Sequence, residues 1–289
     1  MVKTIGNPLS WGSHLLHEAS HAMSLATGSL GSHDMQMPQT RRLTANDIRR
    51  ALRKGYEDFA HFRTDVMFLV LMYPVIGAAL VYMAFQRDML PLIFPMAAGF
   101  ALLGPLAAVG LYELSRCRER GMKAGWGAAL SVFKPYVAAP VLALGFYLIV
   151  LFLLWMYAAA WIHDVTMGPN TAANLRDFIG QVLTTDGGHM MILIGMGVGL
   201  LFALAALVVS LVSFPMLVDR QVGLPVAVAT SLRVARKSPI ATLQWGLVVA
   251  VTLAVASIPM FLGLVIALPV LGHATWHLYR AAVRFQTPM

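Results

Sequence analysis

Apolar and polar positions fall into long separate blocks along this chain. From residue 66 onward six apolar segments can be drawn, at roughly 66–86, 90–112, 137–162, 190–218, 240–256 and 258–279. Each is near the ~20 residues a helix needs to cross a bilayer. The last two form one run, which Ser257 and Pro259 divide as an N-cap and a first-turn proline would at a tight hairpin. A re-entrant pair is the alternative there. The pattern predicts an all-α polytopic membrane helix bundle of about six transmembrane helices over residues 45–284. A tail of residues 1–44 precedes it and a tail of 285–289 follows.

The polar blocks carry their own periodicity. Ile48, Leu52, Tyr56, Phe59 and Phe62 recur at helical spacing, with Arg49, Arg50, Arg53 and Lys54 on other faces. Thr44, three residues before Asp47, resembles the start of a capping box. Such a helix is expected to lie in the headgroup layer, held by anionic lipid headgroups. Leu175, Phe178, Ile179 and Val182 predict a second, short interfacial helix.

Charge then orients the bundle. Only 12% of residues are charged, against roughly 25% in an ordinary soluble domain. The net charge of +8 would suggest nucleic acid in a soluble protein, but its placement explains it without one. Nineteen of the 21 Lys and Arg residues fall on one side of a six-span arrangement, and only Arg87 and Arg176 on the other. Basic loops stay inside, so both termini are expected in the cytoplasm of a cell whose inner membrane holds the chain. His14, His17, Glu18 and His21 interrupt the N-terminal region where a signal peptide needs an apolar core. Cys117 is the single cysteine, so an internal disulfide is excluded.

An internal echo runs through the spans. Pro95, Met96, Gly99, Pro105, Leu114 and Arg116 recur as Pro259, Met260, Gly263, Pro269, Leu278 and Arg280 at a constant offset of 164, with Tyr112 matched in kind by Trp276. Arg118-Glu119-Arg120-Gly121 is echoed by Arg220-Gln221-Val222-Gly223. The chain reads as three parallel hairpin repeats near 45–116, 118–218 and 220–284, each opened by a cytoplasmic amphipathic helix.

The stretch from about 45 to 284 resembles a family of predicted bacterial inner-membrane proteins carrying a domain-of-unknown-function label. The residues that carry the likeness are Ala51-Leu52-Arg53-Lys54-Gly55-Tyr56-Glu57-Asp58-Phe59, then Phe214-Pro215-Met216-Leu217-Val218-Asp219-Arg220. The third stretch is Pro269-Val270-Leu271-Gly272-His273-Ala274-Thr275-Trp276-His277-Leu278-Tyr279-Arg280. The resemblance implies a multi-span membrane protein and supplies neither substrate nor catalytic residue.

Candidate chemistry is sparse. His17-Glu18-Ala19-Ser20-His21 fits H-E-x-x-H, in which two histidines one turn apart bind zinc and the glutamate activates water. His14 shares their face on a helix expected near 8–27, giving His14, His17 and His21 as a possible zinc set. A polar helix face without metal is the simpler reading. His273 and His277 lie one turn apart near the end of the sixth span, and the repeat sets Glu113 opposite His277, predicting an interhelical polar pair. Trp276, Tyr279 and Tyr112 read as an interfacial aromatic belt. No Asp, Glu, Lys or Arg lies near the middle of a span, where ion-coupled carriers usually keep one.

Three function classes follow. The first is a non-enzymatic accessory, assembly or scaffolding component that joins other membrane-protein subunits. The second is a carrier or permeability protein for a neutral or amphipathic solute. The third is a zinc metalloprotease built on His17-Glu18-x-x-His21.

Overall fold

The computed structural model describes residues 37–62, 75, 78–79, 82, 90–122, 125, 134–168, 174–259 and 261–285. They are mostly helical: β1 (Gln39–Thr40), α1 (Ala45–His61), a 3-10 turn (Leu90–Leu92), α2 (Ile93–Leu102), α3 (Gly104–Ala107), α4 (Val109–Glu119), α5 (Pro135–Met167), α6 (Leu175–Thr184), α7 (Asp186–Asp219), α8 (Leu224–Lys237), α9 (Pro239–Ser257), α10 (Leu264–Ala282) and β2 (Val283–Arg284). The first expected span, 66–86, lies almost wholly outside the described residues.

The start of α1 follows from its sequence. Thr44 and Asp47 form the capping box, the Asp47 carboxylate accepting from Thr44 N at 2.9 Å. Ile48, Ala51, Gly55, Asp58 and Phe59 form the buried face. That face packs on α10. Gly55 explains the fit: a Cβ there would stand 2.6 Å from both Ala274 N and Val270 O. Only a residue without a side chain lets the two backbones approach this closely.

The second expected span is broken. Residues 93–119 form three helical pieces, α2, α3 and α4, separated at Leu103 and Ala108. Pro105, in the first turn of α3, has no N–H to continue the ladder. Its repeat counterpart Pro269 sits inside an unbroken α10, so the two members of the echo differ in backbone course. Their ends nevertheless agree: Tyr112, Leu114, Trp276 and Leu278 are all buried.

Among the described residues three helices, over Val137–Met167, Asp186–Asp219 and Pro239–Ser257, are long and apolar enough to cross a membrane. Lys134 and Pro135 open α5 and Gly168, at φ 81°, closes it. Thr185 caps α7 by accepting from Gly188 N at 3.0 Å. The 34 residues of α7 span about 51 Å, longer than the ~30 Å hydrocarbon core. Burial along α7 divides accordingly. No residue from 189 to 205 is buried, whereas every residue from 210 to 219 is. Exposed apolar ridges continue on the neighbours, Leu142, Phe146, Leu153, Tyr157 and Trp161 on α5 and Ile240, Leu243, Leu247, Val251 and Val255 on α9. A soluble monomer rarely leaves apolar surface of that extent uncovered.

Helix α8 locks onto the packed half of α7. Ser231 donates to the Val208 carbonyl at 2.7 Å and accepts from Val212 N at 3.2 Å. A hydroxyl thus enters the α7 ladder one turn before Pro215, where the proline ring crowds the carbonyl of Leu211.

The hairpin between α9 and α10 is looser than expected. Ser257 donates to the Leu253 carbonyl at 2.8 Å instead of capping α10. Pro259 lies in the turn, which also holds Phe261 at φ 64°. Helix α10 begins only at Leu264.

Finally, β1 pairs antiparallel with β2, Gln39 opposite Arg284 and Thr40 opposite Val283. Arg41 caps the end of α10, its N–H reaching Ala282 O at 2.8 Å and its Nε reaching Ala281 O at 3.0 Å. The two ends of the described chain therefore lie side by side.

Candidate functional site

The polar chemistry gathers where α1, α4, α7 and α10 meet, at the basic end of the bundle. Asp58 lies on the buried face of α1, between Gly55 and Phe59. Its Oδ1 accepts from Arg118. Its Oδ2 accepts from Ser115 Oγ at 2.6 Å and meets His277 Nε2 at 2.9 Å. One carboxylate thus ties α1 to α4 and α10. Burial alone would raise the Asp58 pKa, but hydrogen bonds from His277 and Ser115 outweigh it and hold the group at about 2, below its ordinary 3.8.

Ser115 also touches His273, Oγ to Nδ1 at 2.8 Å. The hydroxyl has a single proton and gives it to Asp58, so the tautomer assigned by the network places the proton of this contact on His273 Nδ1. His273 is fully buried, stacks against Phe62 with ring centroids 5.9 Å apart, and its Nε2 has no hydrogen-bond partner among the described residues.

The set superficially resembles a serine nucleophile with its base. The roles differ, because the group receiving the Ser115 proton is a carboxylate held near pKa 2, a weak base. With Asp58, Ser115 and His273 all buried, the arrangement ties three helices together.

A second carboxylate, Asp219, ends α7 and is 2% exposed as a side chain. It accepts from Arg120 at 2.7 Å, Tyr279 Oη at 2.7 Å and Arg280 at 3.4 Å. Glu119 completes this junction, accepting from Trp276 Nε1 at 2.9 Å and Arg280 Nε at 3.0 Å. Asp47 makes a third centre, with Arg41 at 2.7 Å and Arg50 at 2.6 Å. Burial would raise its pKa, yet hydrogen bonds from Arg41 and Thr44 bring it down to about 2.

The structure redistributes the residues singled out from the sequence. The carboxylate that meets His277 is Asp58. Glu113, set opposite His277 by the repeat, binds Arg116 in a two-pronged pair at 2.7 and 2.5 Å. The reason is local: Arg116 lies one turn along the same helix, while α1 brings Asp58 directly onto α10. Tyr112, Trp276 and Tyr279 are core residues about 1% exposed, not an interfacial belt, and their polar tips are used inside the protein for Trp276 and Tyr279. Cys117 is buried against Glu113, and burial and that carboxylate push its thiol up, away from the reactive thiolate. His14, His17, Glu18 and His21, the zinc motif, lie outside the described residues. Among the described residues no group of three or more His, Cys, Asp or Glu side chains is placed to hold a metal ion.

Residues 93–219, from the start of α2 to Asp219, match the model of a family described as "Predicted integral membrane protein (DUF2189)". With three helices long enough to cross a bilayer, that decides the class. The chain is an integral membrane protein. The resemblance read from the sequence holds over this segment and brings no assigned function with it. Of the stretches that suggested it, Phe214–Asp219 lies inside the match, whereas 51–59 and 269–280 lie beyond it. No curated protein and no solved structure matches the chain.

Asp58, Ser115 and Arg118 were not proposed as site residues from the sequence. A signal for Asp58 existed: a carboxylate on the apolar face of an otherwise basic amphipathic helix needs a buried partner.

Proposed function

We propose that this integral membrane protein is an accessory or assembly component of a larger membrane complex. On this reading it crosses the inner membrane six times in three parallel hairpin repeats, with both termini in the cytoplasm. The observation that carries the reading is the division of α7: apolar and without a buried residue from 189 to 205, and buried on every side from 210 to 219. The packed half is cross-linked by Asp58, Asp219 and Glu119 across four helices, giving a firm platform. The other half offers long apolar helix surfaces to lipid and to neighbouring subunits. Side-by-side ends at β1 and β2 support an even number of crossings between them, and the arginines gathered at that end support its cytoplasmic placement.

Co-purification in mild detergent followed by mass spectrometry tests this. A second membrane protein should remain with the chain in fixed stoichiometry through size-exclusion chromatography. A chain that elutes alone from native membranes, and that moves a neutral solute across reconstituted vesicles, would favour a carrier instead.

A further inference from the structure

Arg233, Arg236 and Lys237, from the last turns of α8, converge with Pro38, Gln39 and Thr40 of the β1 segment on an open cleft of about 620 Å³. This cleft differs from the ion-paired junction between α4, α7 and α10. Arg116, Arg118, Arg120 and Arg280 are each bound to a carboxylate. No carboxylate lines the cleft, and among the described residues Arg233 and Arg236 have no acidic partner. Lys237 donates to the Thr40 carbonyl at 2.9 Å, which fixes the cleft floor without neutralising its charge. Three uncompensated cations facing one concavity concentrate positive potential there. The guanidinium forks match the oxygens of a phosphate.

The position of the cleft narrows the ligand. Lys237 is followed by Ser238, and the membrane-spanning α9 starts at Pro239. Its exposed ridge of Ile240, Leu243 and Leu247 begins three residues beyond Lys237. With α9 crossing the membrane, the cations would stand at headgroup level, next in the chain to an exposed apolar ridge. We propose that the cleft seats the phosphate of one anionic phospholipid, whose acyl chains run along Ile240, Leu243 and Leu247. This rests on α9 being a membrane span and is independent of the assembly role.

Native mass spectrometry of the purified full chain, titrated with phosphatidylglycerol or phosphatidylcholine in neutral detergent, provides the test. The wild type should retain one phosphatidylglycerol per chain in preference to phosphatidylcholine. Arg233→Gln with Arg236→Gln should weaken that retention about thirty-fold, as expected for two surface cations removed from an anionic headgroup. Lys237 is left in place to keep its bond to Thr40. Arg49→Gln with Lys54→Gln, exposed cations outside the cleft, should bind as the wild type does. Both arginines are exposed, and Arg236→Gln alone, with unchanged elution and melting, guards against a folding defect. Equal losses in both double variants, or no loss in either, would overturn the site. So would equal retention of phosphatidylcholine. Inorganic phosphate binding with the same two-arginine dependence, but without retained phosphatidylglycerol, would reassign the cleft to free phosphate and overturn the lipid.

Discussion

Replacing Asp58 with Ala should destabilise the protein by roughly 3–5 kcal/mol, the usual cost of removing one partner from a buried charge pair. The loss is large because three groups on two other helices depend on this carboxylate: Arg118, Ser115 and His277. Thermal unfolding in detergent measures it. The same residue predicts an acid limb. The folded pKa of about 2 lies below the unfolded value of 3.8, so the unfolded state takes up the proton first as pH falls. The carboxylate's contribution is complete above about pH 5 and is lost as pH falls towards 2, amounting to roughly 2–3 kcal/mol. Asp58→Asn should flatten that limb while leaving stability at neutral pH above that of Asp58→Ala. An unchanged acid limb in Asp58→Asn would show that other carboxylates carry it.

Asp219→Ala should cost a similar roughly 3–5 kcal/mol. The side chain is 2% exposed and holds the end of α7 to α4 through Arg120 and to α10 through Tyr279 and Arg280. A double-mutant cycle with Tyr279→Phe isolates one of these links. The Tyr279 hydrogen bond to an ionised acceptor is worth about 1.5–3 kcal/mol. Tyr279→Phe should therefore be costly in the wild type and nearly neutral once Asp219 is gone. Additive effects within about 0.5 kcal/mol would mean that the two residues do not act together.

Much of the architecture was legible from periodicity. The apolar blocks at 137–162, 190–218 and 240–256 coincide with the three helices able to cross a membrane, because ~20-residue apolar runs have few other uses. The capping box at Thr44 and the short helix after Asn174 were also legible, since both rest on local hydrogen bonds. What escaped depends on contacts distant in sequence. The apolar face of α1 looks the same whether lipid or α10 covers it, and only the close approach at Gly55 distinguishes the two. Prolines 105 and 269 carry equal sequence signals, yet one breaks a helix and the other is absorbed. The candidate site was half visible. His277 was singled out together with Glu113 because the repeat sets them opposite each other; in the fold His277 meets Asp58, and Glu113 binds Arg116 three residues away on its own helix. The aromatic residues were assigned to a membrane interface because composition does not reveal that Glu119 and Asp219 supply internal acceptors.

In the proposed arrangement α7, α9 and α10 each cross the membrane and the ion-paired junction lies on one side of it. Site-directed labelling tests this most directly. In a Cys117→Ser background, the exposed positions 176 and 284 are each replaced by cysteine, and oriented vesicles are treated with a membrane-impermeant maleimide. Three crossings separate the two positions, so Arg176→Cys and Arg284→Cys should label from opposite faces. Labelling of both from the same face would contradict the account.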